Sequence, residues 1–117
     1  MDQSPFANTP EPPYYAVIFT SQRTDGDNGY EKTALRMLEL AAQQPGFIGF
    51  EGARNPDGFG ISVSYWESEA AIRKWKAQLD HRAAQERGRQ SWYARYLVQV
   101  AKVERRYGQP DQGSTAS

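Results

Sequence analysis

"FIGFEGARNPDGFGISVSYW", Phe47 to Trp66, decides the fold. "NPDG", Asn55 to Gly58, is tight-turn chemistry: proline presets one backbone angle and glycine tolerates the reversed one. The runs on either side, "FIGFEGAR" and "FGISVSYW", are rich in aromatic and β-branched residues. Two such runs joined by a short turn form a β-hairpin. In the second run Ile61, Val63 and Tyr65 alternate with Ser62, Ser64 and Trp66, so the two faces of that strand differ. Alternation does not say which face meets the core. If Ile61, Val63 and Tyr65 meet it, the serines and Trp66 look outward; the reverse is equally open.

Reading outward toward the C-terminus, "SEAAIRKWKAQ" starts with a capping-type Ser68 and an acidic Glu69 in the first turn. Ala71, Ile72 and Trp75 then share one side of a helix. Asp80 is a second candidate cap for "DHRAAQERGRQSWYARY", and Gly88 weakens or ends that second helical piece. "YLVQVAKVERRYG", Tyr96 to Gly108, reads as a final strand. Toward the N-terminus, Pro45-Gly46 stops a helix over Tyr30 to Gln44, in which Ala34, Leu38 and Ala41 recur at helical spacing. "RTDGDNG" before it is a turn in which Asp25, Asp27 or Asn28 can cap the helix. "YYAVIFTSQ", Tyr14 to Gln22, is a strand apolar enough to be buried on both faces. Residues 1–13, with four prolines and little apolar material, read as a flexible N-terminal arm, and residues 109–117 as a flexible tail. The folded unit is residues 14–108.

The order is β-α-β-β-α-β, an α+β, ferredoxin-like arrangement: an antiparallel four-stranded sheet with both helices on one face. Two helices cover one face only. The strands carry apolar groups on both, and a chain of 117 residues has no third layer to supply. The economical cover is a second copy, giving a homodimer through the sheet faces.

Charge is balanced, 14 basic against 14 acidic residues, so no overall field draws the chain to nucleic acid or to an anionic membrane. With no cysteine and one histidine, thiol chemistry and multi-histidine metal sites are excluded. "GFGIS" sits in a hairpin and not before a helix, so it is no phosphate loop. The first residues have neither the basic nor the apolar region of a secretory signal, and no apolar run is long enough to span a bilayer. The expected location is the cytoplasm.

The element order, "QPGFIGFEGAR" and "SYWESEAAIRKWKAQLDHRAAQERG" together resemble the antibiotic biosynthesis monooxygenase domain family, over Tyr14 to Gly108. The resemblance implies a dimeric α+β barrel with a pocket between sheet and helices. Trp75 sits where the family often has a pocket tryptophan. Family members that degrade haem carry an iron-ligating histidine ten residues after that tryptophan and an asparagine on the first strand. Here the tenth residue is Gln85 and the first strand has no asparagine, so haem chemistry is not implied. Quinol-oxidising members need no metal or flavin, because the substrate itself reduces oxygen. On that pattern no cofactor and no metal are expected.

His81 is the side chain whose ordinary pKa lies nearest neutrality, which makes it the candidate base toward a phenol. Gln85 is four residues on and shares its helix face. Trp75, Gln85, Trp66 and Tyr15 are the candidate substrate-binding residues. The bland reading is that the rings are core and His81 is a helix-surface residue. Three functions follow: a cofactor-independent monooxygenase of a small aromatic or quinol substrate, a non-catalytic homodimer binding a small molecule, or a purely structural dimer.

Overall fold

The computed structural model describes residues 5–27, 29–85 and 92–109, with 81–85 placed by backbone alone. Its elements are β1 (Tyr14–Arg23), α1 (Tyr30–Ala42), β2 (Phe47–Arg54), β3 (Phe59–Trp66), α2 (Glu69–Gln85) and β4 (Tyr93–Val103). The strands form one antiparallel sheet in the order β2-β3-β1-β4. This is the expected ferredoxin-like arrangement.

The hairpin forms as its residues dictate. Gly58 N donates to Asn55 O at 2.9 Å, Asn55 N to Phe59 O at 2.7 Å, and the Asp57 carboxylate accepts from Phe59 N at 3.0 Å. Before α1, Asp27 accepts from both Gly29 N (3.0 Å) and Glu31 N (3.1 Å), satisfying amide groups that a helix start leaves unpaired. Ser68 Oγ accepts from Ala71 N at 3.1 Å and does the same for α2. Gly46, with φ +86°, joins α1 to β2, and a Cβ there would lie 2.7 Å from the Ala71 Cβ. Only glycine lets this turn approach α2 so closely.

Two boundaries differ from expectation. α2 runs through Asp80 as a single helix; Asp80 pairs with Lys76, one turn earlier, at 2.9 Å and caps nothing. β4 starts at Tyr93, ahead of Tyr96, because Tyr93 opposes Arg23 and its ring packs on Phe19 at 5.3 Å. It ends at Val103, opposite Tyr14, where β1 offers no further partner. Gly88 and the tail from residue 110 lie outside the described residues.

The core sits between the sheet and the helices, where Ala41, Trp66 and Ala71 are buried with Val17, Phe47, Ile72 and Trp75 packed on them. Strand pairing extends this face across the sheet. Tyr15 opposes Trp66, Val17 opposes Ser64 and Val100, and Phe19 opposes Ser62 and Val98. The opposite, open face carries Ala16, Ile18, Ile61, Val63, Tyr65 and Leu97. Ile61 is 43% exposed and Leu97 51%. Apolar surface is thus left over on the open face, as expected. Tyr96, Val98 and Val100 also stay exposed on the helix side of the edge strand β4.

Residues 6–11, expected to belong to a mobile arm, make contacts with the folded unit. Ala7 N donates to the Glu51 carboxylate at 2.9 Å, and the Tyr14 hydroxyl donates to Thr9 Oγ1 at 3.2 Å. Arg106 reaches Pro10 O and the Glu11 carboxylate from beyond β4.

Candidate functional site

β3 settles the question that alternation left open. Ser62, Ser64 and Trp66 turn toward the helices; Ile61, Val63 and Tyr65 turn away. Trp66 is fully buried, at 0% exposure. Phe47 meets its ring edge-on at 5.3 Å, and Trp75 of α2 stacks on it at 6.3 Å, with the ring planes 26° apart. The indole N–H of Trp66 donates to Ser64 Oγ at 2.9 Å, so the polar handle of a buried ring is satisfied. Ser64 thereby spends an acceptor lone pair and keeps its own proton, which a hydroxyl can rotate toward another acceptor.

The candidate residues from sequence fall unequally. Trp75 is half-buried on the helix wall, against the Trp66 ring. Trp66 is completely enclosed, so in this arrangement it backs Trp75 and does not itself present a free surface. Tyr15 is half-buried beside Trp66 on the helix side of β1. His81 and Gln85 belong to the last turn and a half of α2, but their side chains lie outside the described residues. The serines of β3 were not singled out as site residues. Their signal was the alternation itself, and it needed the identity of the buried face to become readable.

At one end of the same face lies an aromatic and cationic cluster. Phe19, Tyr93 and Tyr96 pack together, and Tyr30 of α1 meets Tyr93 edge-on at 5.7 Å. The Arg23 guanidinium covers the Tyr30 ring at 3.8 Å. Arg54 Nη2 donates to the buried Ser21 hydroxyl at 2.7 Å. The Tyr93 phenol is pushed well above the usual tyrosine range, first by burial and then by its hydrogen bond to Tyr30; the two arginines oppose the rise without cancelling it. A shallow, solvent-open cleft of about 370 Å³ lies here, lined by Arg23, Tyr30, Arg54 and the acidic turn residues Asp25, Asp27 and Asp57. The hydrogen bonds of both guanidiniums end on the Ser21 hydroxyl and on main-chain carbonyls of Trp92, Gly26, Asp27, Ser21 and Gly58. Donors so engaged brace the loops at this end of the sheet. Both cations of the cleft are thus committed to the architecture of this end of the sheet.

Comparison with known proteins bears on the family and the fold. The family model described as antibiotic biosynthesis monooxygenase matches residues 13–87. The chain is 57% identical over 99 residues to the uncharacterized protein YqjZ of Bacillus subtilis, covering 85% of this chain and 87% of that one. SnoaB, a cofactor-independent oxygenase from Streptomyces nogalater, has a similar fold, with a TM-score of 0.62 at 17% identity over 86% of this chain and all of SnoaB. A dimeric ferredoxin-like protein of unknown function from Thermobifida fusca superposes equally well, with a TM-score of 0.62 at 15% identity, covering 84% of this chain and 99% of that one.

Proposed function

The chain belongs to the antibiotic biosynthesis monooxygenase family, and from that premise we propose that it is a cofactor-independent monooxygenase of a small phenol or quinol, acting as a homodimer. The observation that carries the reading is the helix side of β3. Two hydroxyls, Ser62 and Ser64, lie on the strand face that carries Trp66, and Trp75 stacks on the Trp66 ring. A flat aromatic substrate stacks on a ring wall, and its oxygen needs a hydrogen-bond partner once it leaves water. Trp75 supplies the wall, with Trp66 fixing its position from behind. Tyr15 flanks the site from β1. Ser64 donates the proton its bond to Trp66 leaves free.

His81 on α2 is the base that takes the phenol proton, with Gln85 four residues on to hold the same oxygen. The phenolate then gives its electrons to dioxygen. In sum, ArOH and O₂ yield a para-quinone and water. One oxygen atom enters the ring, the other leaves as water, and the substrate supplies all four electrons. No external reductant is required by this balance.

The experiment is oxygen consumption with a panel of naphthols, anthrones and hydroquinones, run beside a binding titration that follows tryptophan fluorescence. Uptake of one O₂ per quinone formed, lost in Trp75→Ala and reduced in His81→Ala, supports the reading. Unchanged turnover in His81→Ala removes that residue as the base. Binding without oxygen uptake makes the protein a non-catalytic small-molecule-binding dimer of the same fold.

A further inference from the structure

The open face of the sheet is not uniformly open. At its β1 and β3 end Tyr14 is 4% exposed and Ala16 5%, although neither helix lies on that side. At its other end Phe59, Ile61 and Leu97 are 40%, 43% and 51% exposed. The difference is the N-terminal segment. It bonds to β2 through Glu51, to β1 through Tyr14, and to the chain beyond β4 through Arg106. It therefore crosses the sheet from one edge to the other.

Three features make this a built receptor for the segment. The Glu51 carboxylate takes two donors, Ala7 N at 2.9 Å and the Tyr65 hydroxyl at 2.7 Å. Gly49 leaves room for Ala7: a Cβ at Gly49 would lie 3.0 Å from the Ala7 Cβ. Tyr14 and Tyr65 pack edge to face at 5.7 Å beneath the crossing. Ala7, Thr9 and Pro12 are part-buried, while Asn8, Pro10 and Glu11 are exposed, as is Phe6, at 77%.

We infer that residues 6–12 form a strap, clasped by Glu51, that covers half of the open sheet face and restricts a second copy to the uncovered strip of Phe59, Ile61 and Leu97. The inference rests on the homodimer reading above for the identity of the partner. The strap covers a tyrosine-lined apolar surface with a narrow segment whose outer side mixes Asn8 and Glu11 with Phe6 and Pro10. Unclasping it returns that surface to solvent, where a second copy buries it. Self-association then tightens. Tyr65 agrees with a closed clasp, its phenol pushed up to about 12 by burial and by the bond to Glu51.

Ala7→Pro tests the clasp from the strap side: it removes the N–H that Glu51 holds, adds a ring there and leaves the sheet's own residues unchanged. Glu51→Ala removes the receptor. Hydrogen exchange reads the β3 amides in all three proteins and the Ala7 amide in the wild type and Glu51→Ala; sedimentation equilibrium reads self-association in all three. The expected result is a protected Ala7 amide in the wild type, its protection lost in Glu51→Ala while β3 stays protected, and self-association at least tenfold tighter in both variants. An unprotected Ala7 amide in the wild type overturns the strap. Unchanged or weaker association in Ala7→Pro with β3 intact overturns its role as a restraint. Failure of the homodimer reading looks different: all three proteins stay monomeric at every concentration, which also removes the restraint.

Discussion

The two sides of β3 are built for different work. Toward the helices it presents Ser62, Ser64 and Trp66; toward the open face it presents Ile61, Val63 and Tyr65. The more uniformly apolar set is the one left outside the core. The helix side tolerates hydroxyls because one enclosed ring, Trp66, fills most of the volume there and Ser64 satisfies its N–H. The open side has no helix above it, so its aliphatic groups stay half covered unless the strap or another molecule lies on them. A sheet face can thus be apolar where no helix covers it, and carry hydroxyls where one enclosed ring packs the core beside them.

Removing the ring that organises the helix side is the severest way to break this contrast. Trp66→Ala should cost about 3–5 kcal/mol of unfolding free energy, the usual range for a large buried ring, read from urea denaturation. A loss much below that would mean that the core does not depend on Trp66. Ser64→Ala comes next. It leaves a buried indole N–H without its acceptor and should cost about 1–3 kcal/mol, visible in the same curves, with a shift in tryptophan emission. A neutral result would reduce Ser64 to a small spacer.

The open side sharpens the contrast through pH. The folded-state pKa of Tyr65 is raised above the ordinary value of 10.0 to about 12. The neutral phenol is therefore favoured by folding, so this stabilisation is complete below pH 10 and is lost as pH rises toward 12. Tyr65→Phe should flatten that alkaline decline, followed by thermal unfolding across the range. An identical decline in the variant would assign it to other groups. The smallest effect on the fold is expected at Ile61. Ile61→Asp puts a poor strand former at a half-covered position and should lower the unfolding free energy of the single chain by about 1 kcal/mol. Light scattering should nevertheless fall from twice the 13.2 kDa chain mass to once that mass, if the open face is where two copies meet. A dimer that survives the charge would place the contact elsewhere, the exposed helix side of β4 being the next surface to test.

Much of the fold was legible because it is written in local chemistry. "NPDG" between two β-rich runs is a hairpin whatever surrounds it, and Ser68 and Asp27 take up amides of the first helical turns through contacts within a few residues. The candidate site was legible in part. Trp75 was readable from helical spacing and from the family pattern, and it lies on the Trp66 ring. Ser62 and Ser64 were not readable as site residues, since a strand of strict alternation has two faces and period alone cannot rank them. The strap was illegible for another reason. Its segment carries too little apolar area to order itself, and its anchor Glu51 is 44 residues away in the chain from Ala7.

By itself, then, the sequence determined the strand and helix order, the turn, the caps and the surplus of apolar surface over what two helices can cover. These follow from residue propensities and short-range hydrogen bonds, which act before the chain has folded. The tertiary structure alone decided which side of β3 faces the helices, that Trp66 is enclosed while Trp75 forms the wall, and that the N-terminal segment lies clasped on the sheet. Those outcomes depend on contacts between residues far apart in the chain. Their free energy exists only once the sheet has brought Trp66 under α2 and Glu51 beside Ala7.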